Sequence, residues 1–152
     1  MNPKHKEMAE NVYQLASFAL TETGLDTTLF VLIKDDEAIP IIVPPNSEID
    51  TAAYTLMSMN IAREQNADAI LVVAGMWVVK GLPSEIDISI RPSENEAREH
   101  FLNLVYMTAD GKEYESIAGK VEKDPGGTKF VREHEWVDQI QEFEWFQPWK
   151  HK

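Results

Sequence analysis

Apolar residues recur at helical spacing in two stretches of the chain. The first runs from about Lys6 to Thr23 and stops before Gly24, a residue type that often ends helices. The expected inner face of this helix consists of Met8, Val12, Leu15, Ala16 and Ala19. The second begins near Ser47, a favourable N-cap residue, and fades near Gln65. Its expected inner face consists of Ile49, Ala53, Leu56, Met57, Asn60 and Ile61.

Shorter apolar runs between these helices predict strands. Thr27–Lys34 and Ile39–Val43 flank the polar turn Asp35–Glu37, which is typical of a hairpin. Pro40 has no N–H to donate to a neighbouring strand, so the second run belongs at a sheet edge.

The longest apolar run, Ala69–Val79, predicts a buried strand, and Gly75 within it indicates a bulge. The helix before this run is long enough to join it to Ile39–Val43 by a crossover between parallel strands. Residues 86–90 alternate apolar and polar side chains, which predicts a short edge strand.

The last third of the chain carries two clear turn signals. Phe101–Thr108 and Lys112–Glu122 flank an Asp110-Gly111 step, which strongly indicates a hairpin. Asp124–Gly127 marks a second turn before a final run, Thr128–Glu135. These runs predict an antiparallel meander of three strands.

The whole pattern predicts one α+β domain over residues 1–152, in the order α-β-β-α-β-β-β-β-α. Its sheet is expected to have five to six strands, to be mixed but largely antiparallel, and to pack with two main helices. Trp136, Ile140 and Phe143 lie at i, i+4 and i+7, which adds a short C-terminal helix. This helix belongs to an aromatic, acidic extension, residues 137–152.

Composition narrows the classes of function that fit. The absence of cysteine excludes a disulfide framework, a cysteine zinc site and a thiol nucleophile, and it suits a reducing cytoplasm. A formal net charge of −12 without a basic stripe argues against nucleic-acid binding. The charged first ten residues do not resemble a signal peptide, and the longest apolar run is too short for a membrane helix.

The histidines are the first candidates for chemistry. His5 and His151 lie near the termini and are expected to be solvated. If residues 132–136 form a strand, Arg132, His134 and Trp136 share one face, where ordinary packing is the favoured role of the imidazole.

His100 and Glu96 share a face if the segment around them is helical. A carboxylate one turn from an imidazole can help to hold a metal ion, and Asp87 or Glu94 would complete the ligand set. This arrangement predicts a metal-assisted hydrolase as an alternative function. Because two ligands are fewer than the three or four that metal sites use, no metal site or cofactor is assigned.

Other catalytic motifs are absent from the sequence. Pro44–Ser47 precedes the second helix, but Glu48 and Asp50 place negative charge where a phosphate would bind. No serine lies in a nucleophile elbow.

A resemblance rests on the middle of the chain. Ala74–Val79 closes a hydrophobic strand, Ile90–Glu94 reads Ile-Arg-Pro-Ser-Glu, and Arg98 and Glu99 follow. This segment, about residues 67–131, resembles an uncharacterised family of small bacterial and phage-associated proteins. The resemblance implies a real domain and no assigned activity. Gly75 stands where the family pattern has an acid.

The same segment supplies candidate binding residues. Trp77 can bury a large ring near a strand end, while Arg91 and Arg98 can clamp a carboxylate or pair with Glu94. Two tryptophans of the C-terminal part, Trp136 and Trp145, are further candidates because dense exposed aromatics suit a docking surface.

These observations favour a non-catalytic protein-binding or assembly module that forms a homo-oligomer. The C-terminal aromatics are expected to dock on the chain's own sheet, with a second subunit and then another partner as the alternatives. Besides the hydrolase, a third interpretation is an acidic inhibitor or immunity-type protein that covers a basic partner.

Overall fold

A computed structural model describes residues 2–25, 28–42, 51–79, 89 and 98–138. Two helices and a six-stranded antiparallel sheet form an α+β fold, so the predicted fold class is confirmed. The elements are α1 (Pro3–Thr23), β1 (Leu29–Lys34), β2 (Glu37–Ile41), α2 (Thr51–Glu64), β3 (Ala69–Val79), β4 (Arg98–Thr108), β5 (Tyr114–Lys123) and β6 (Lys129–Asp138). Within the described ranges, no helix is both long and apolar enough to span a membrane.

Local sequence signals explain where α1 begins and ends. The Asn2 side chain accepts a hydrogen bond from the backbone N–H of Lys4, and Pro3 occupies the first turn, where its missing N–H costs nothing. At the other end, Gly24 adopts φ 72° and donates its N–H to the carbonyl of Leu20.

The strands lie in the order β2-β1-β3-β4-β5-β6. β1 and β2 form the predicted hairpin, and both residues of its two-residue turn, Asp35 and Asp36, have positive φ, as a type I′ turn requires. β2 lies at the edge, which confirms the interpretation of Pro40. β2 and β3 point in the same direction, but β1 lies between them, so every pairing in the described sheet is antiparallel.

The predicted meander is confirmed, with β4, β5 and β6 as successive neighbours. The bulge expected at Gly75 is wrong, because the β3–β4 register continues without a break from Ala69 to Val79. The irregularity lies instead between β5 and β6, at Gly119 and Val121. The edge strand expected over residues 86–90 lies outside the described residues, apart from Ser89, as do the expected start of the second helix and residues 139–152.

Each face of the sheet carries its own apolar cluster. The buried cluster beneath α1 contains Ala9, Tyr13, Ala16, Leu20, Val31, Ile33, Ala69, Leu71, Val73, Leu102, Leu104, Tyr106, Ile117 and Val121. The cluster beneath α2 contains Phe30, Leu32, Ile41, Tyr54, Met59, Ala62, Ala67, Ile70, Val72, Val105, Met107 and Ala109. Tyr54 fastens α2 to the edge hairpin, because its hydroxyl donates to the carbonyl of Ile41.

The buried helix faces are rotated from the predicted ones. In α1 the buried residues are His5, Ala9, Tyr13, Ala16 and Leu20. Leu15, which was assigned to the inner face of α1, is 70% exposed. Leu56, which was assigned to the inner face of α2, is 67% exposed. The apolar periodicity alone marks a broad stripe, whereas the buried side of α1 is centred on Tyr13, whose hydroxyl donates to the carbonyl of Leu102 at 2.7 Å.

Candidate functional site

The face of β4–β6 that lies opposite α1 is covered by neither described helix, and we call it the open face. Its side chains include Glu99 and Phe101 of β4, Ala118, Lys120 and Glu122 of β5, and Arg132 and Glu135 of β6. None of these residues belongs to the apolar cluster beneath α1 or beneath α2. In the described part of the chain, this side of the sheet therefore has one half beneath α2 and another half that carries polar and aromatic groups.

Two adjoining depressions meet at Lys120. The first has a volume of about 460 Å³ and lies where β4 begins and β5 ends, with Arg98, Lys123 and Lys129 as its other basic lining residues. Its lining comes from both sides of the sheet, because Val121 belongs to the cluster beneath α1 and Lys129 Nζ donates to the carbonyl of Gly24. The second has a volume of about 400 Å³ and is floored by Phe101 and Ala118. Lys120 lines both, so it is central to this surface.

The charges of the open face are arranged in pairs. Lys120 Nζ lies 3.8 Å from Glu99 Oε1, and Arg132 Nη1 lies 3.4 Å from Glu122 Oε1. The two cationic side chains remain substantially exposed, at 46% and 69%. Exposed pairs of this kind contribute between zero and about 1 kcal/mol to folding, so stability alone does not explain their concentration here.

A bulge determines which β6 side chains reach the open face. Gly119 pairs with His134 and Val121 with Val131, so the single residue Lys120 faces two residues of β6, Arg132 and Glu133. The extra residue places Arg132 on the open face, while the ring of His134, an exposed residue, lies against Tyr13 of α1.

His134 and Trp136 of β6 both contact side chains of α1. The His134 ring lies 4.8 Å from that of Tyr13, and Trp136 Nε1 donates to Glu10 Oε1 at 3.0 Å. The expectation that Arg132, His134 and Trp136 share a face is therefore wrong. Trp136 also lies in β6, so a C-terminal helix does not begin there.

The structure brings together only some of the candidate residues. Arg98 and His100 both lie on β4 and line the first depression, and the backbone of Trp77 pairs with that of His100. Arg91, Glu94 and Trp145 lie outside the described residues.

The structure does not support the metal site that was predicted around His100. His100 belongs to a strand, so the helical spacing inferred for Glu96 and His100 is wrong, while Asp87, Glu94 and Glu96 fall outside the described part of the chain. Among the described histidine, aspartate and glutamate side chains, no group of three or more is placed to hold a metal ion.

Sequence reasoning missed one polar cluster. His5, expected to be solvated, is buried: its Nδ1 lies 2.7 Å from Tyr106 Oη, and its Nε2 lies 3.8 Å from Asp36 Oδ1. Lys4 Nζ lies 3.3 Å from the other oxygen of Asp36. The Asn2-Pro3 start signal, together with the period of α1, would have placed His5 on the same face as Ala9.

Because Tyr13 and Tyr106 are buried, we expect the protein to lose stability at alkaline pH. Burial raises the pKa of Tyr13 and of Tyr106 well above the usual 10.0, and for Tyr106 the carboxylates of Glu113 and Glu115 act in the same direction. The unfolded chain releases these protons near the usual value while the folded chain retains them. We therefore expect the free energy of unfolding to fall as pH rises above about 10.

Urea titrations on either side of that pH test this expectation. Tyr13→Phe removes one of the two protons, so the free energy of unfolding of this variant should decline less steeply with pH than that of the unaltered chain. Equal slopes for the two proteins would show that Tyr13 does not cause the alkaline loss.

Comparison with protein-family models, with curated proteins and with solved structures found no match to this chain. The resemblance carried by residues 67–131 therefore stays a prediction.

Proposed function

We propose that this chain is a non-catalytic protein-binding and assembly module that forms a homo-oligomer, and that a second copy docks on the open face. The observation that carries the proposal is the half of the sheet that neither described helix covers, with two depressions that share Lys120. The cysteine-free composition supports a reducing, cytoplasmic setting for this assembly.

The open face has the layout of a protein interface. Phe101 and Ala118 supply an aromatic and aliphatic floor, and charged side chains of both signs surround it. Its floor is small compared with the apolar clusters beneath the helices, which suits an interface with a polar rim.

Charge favours a second copy as the occupant. At a net charge of −12, two copies repel each other over most of their surfaces. The open face is an exception, because Lys120 and Arg132 stand among Glu99, Glu122 and Glu135. A patch with both signs can oppose unlike charges on a second copy, as a symmetric interface requires.

Reversing the charge at Lys120 tests the docking surface. We expect Lys120→Glu to weaken self-association at least about tenfold, because it removes a cation between two acids, Glu99 and Glu122. Size-exclusion chromatography with light scattering should give twice 17.3 kDa for the unaltered chain and 17.3 kDa for the variant at the same concentration.

Lys112→Glu is the matched control, because it changes the net charge equally at an exposed lysine in the β4–β5 turn. This control should keep the doubled mass. If both variants show the same mass as the unaltered chain, the open face is not the docking surface.

A further inference from the structure

We propose that the second copy meets the open face at its β6 border, where the β6 strands of two chains pair antiparallel along their outer edges. Pairing at this edge joins the sheets of the two copies into one continuous sheet. This inference rests on the proposed function, because it names the element through which the two copies meet.

The outer edge of β6 is the longer of the two edges of the described sheet. β6 has ten residues and, within the described residues, pairs with β5 on one side and with no strand on the other. The opposite edge, β2, has five residues and includes Pro40, which has no N–H to donate. A ten-residue edge can form about ten main-chain hydrogen bonds with an added antiparallel strand. β6 is therefore the edge that suits strand pairing.

The sequence of β6 complements itself in one antiparallel register. A twofold axis makes the contact reciprocal, so that if one residue meets a second residue of the partner, the second also meets the first. One register opposes Val131 to the partner's Trp136 and Arg132 to the partner's Glu135. Each match then occurs twice, as an apolar pair on the α1 side and an ion pair on the open face. Cross-strand pairs of both kinds stabilise antiparallel sheets.

The bulge in β6 makes this register possible. In an unbroken strand, two residues an odd number of positions apart lie on opposite faces, so they cannot meet across a twofold axis. Val131 and Trp136 are five positions apart, yet both pack against the cluster beneath α1. The extra residue of the bulge lies between them, and it gives Arg132 and Glu135 a common face in the same way.

The apolar pair lies where the cluster beneath α1 reaches the edge of the sheet. Val131 and Trp136 are only partly buried in the single chain, so a partner strand beside them would remove more apolar surface from water. Trp136 Nε1 donates to Glu10 Oε1 at 3.0 Å, which holds the large ring in place before the second copy arrives. A ring that is already ordered loses little freedom on association.

The ionic pair favours a second copy and fixes the register. The Arg132 side chain is 69% exposed although it lies 3.4 Å from Glu122, and Glu135 is exposed as well. Two copies of a chain with a net charge of −12 repel each other over most of their surfaces. The reciprocal Arg132–Glu135 contacts place opposite charges together at the seam, whereas a shift in register would bring like charges together.

Disulfide trapping tests the register, because the chain has no cysteine and each full-length variant carries a single thiol. Under mild oxidation, Arg132→Cys mixed with Glu135→Cys should give a cross-linked species of twice 17.3 kDa. Val131→Cys mixed with Trp136→Cys should do the same. Each variant alone should give little of this species, because a residue and its own copy lie about 10 Å or more apart in this register. Lys112→Cys mixed with Glu135→Cys is the control for random collision.

The two mixtures separate edge pairing from other ways of docking. Stacked open faces can bring Arg132 near the partner's Glu135, but they leave Val131 and Trp136 apart, since these two lie on the opposite face. A cross-link in the first mixture alone, or in neither while Lys120→Glu still dissociates the assembly, overturns the edge pairing and leaves the proposed function standing.

Hydrogen exchange tests the same contact without a substitution in β6. The outward-facing amides of β6 should exchange at least about tenfold more slowly at concentrations where the mass is doubled than where it is 17.3 kDa. The amides of β2, at the other edge, are the matched control and should exchange at one rate throughout. A doubled mass with unchanged exchange in β6 would reject edge pairing even if Trp136→Cys fails to fold.

Discussion

Replacing Gly119 with alanine is expected to lower the free energy of unfolding by about 2–3 kcal/mol, because the new methyl group has no room. A Cβ at this position would lie 2.5 Å from Val131 Cγ1, closer still to Tyr13 Oη, and 3.2 Å from the carbonyl oxygen of Glu133. Tyr13 cannot easily withdraw, since its hydroxyl donates to the carbonyl of Leu102 at 2.7 Å. Equilibrium denaturation in urea measures the loss.

Gly126→Ala is the matched control for this substitution. A Cβ at Gly126 would meet only Asp124 Oδ1 within 4 Å, at 3.3 Å, so the cost should stay below about 0.5 kcal/mol. Tyr13→Phe in the Gly119→Ala background should relieve part of the crowding, which a double-mutant cycle would report as a favourable coupling energy. Equal losses for the two glycine variants would contradict the close packing of α1 against the bulge.

Replacing His5 with alanine is expected to lower the free energy of unfolding by about 2–3 kcal/mol. The substitution removes a buried ring and leaves the hydroxyl of Tyr106, fully buried beneath α1, without the imidazole 2.7 Å away. It also removes the contact between His5 Nε2 and Asp36, which ties the first turn of α1 to the β1–β2 hairpin.

Glu7→Ala, an exposed neighbour in the same turn, is the control and should cost less than about 0.5 kcal/mol. Thermal and urea denaturation of both variants measure the difference. If the His5 variant loses no more stability than the Glu7 variant, the first turn of α1 does not anchor the N-terminus, and a solvated His5 describes the protein better.

Features that depend on one segment were predictable from the sequence. The apolar run Ala69–Val79 matches β3 at both ends, because a run rich in β-branched valine suits a strand that is buried on both faces. The Asp-Gly step places the β4–β5 turn, and Pro40 places β2 at an edge, since each residue type constrains the local backbone wherever it occurs.

Features that depend on a relation between segments were not predictable. A bulge belongs to two paired strands, so a glycine alone could not reveal that the irregularity lies at Gly119 instead of Gly75. The same irregularity decides that Arg132 joins the open face while His134 packs against Tyr13. Without the bulge, strict alternation along the strand would place Arg132 and His134 on one face.

The open face also depends on how separate segments pack. Alternation in β5 separates Lys120 and Glu122 from Val121, and that much is visible in the sequence. Which alternate set a helix covers depends on where α1 and α2 pack. The covered half of this sheet face lies beneath α2, whose Tyr54 bonds to the Ile41 carbonyl, so neither described helix covers the β4–β6 half.

Sedimentation velocity of the unaltered chain of 152 residues over a range of concentrations shows whether the protein self-associates. We expect the mass to rise with concentration from 17.3 kDa towards twice that value, with a weaker rise at high salt because the rim of the interface is charged. A mass that stays at 17.3 kDa up to the highest concentration reached would contradict it.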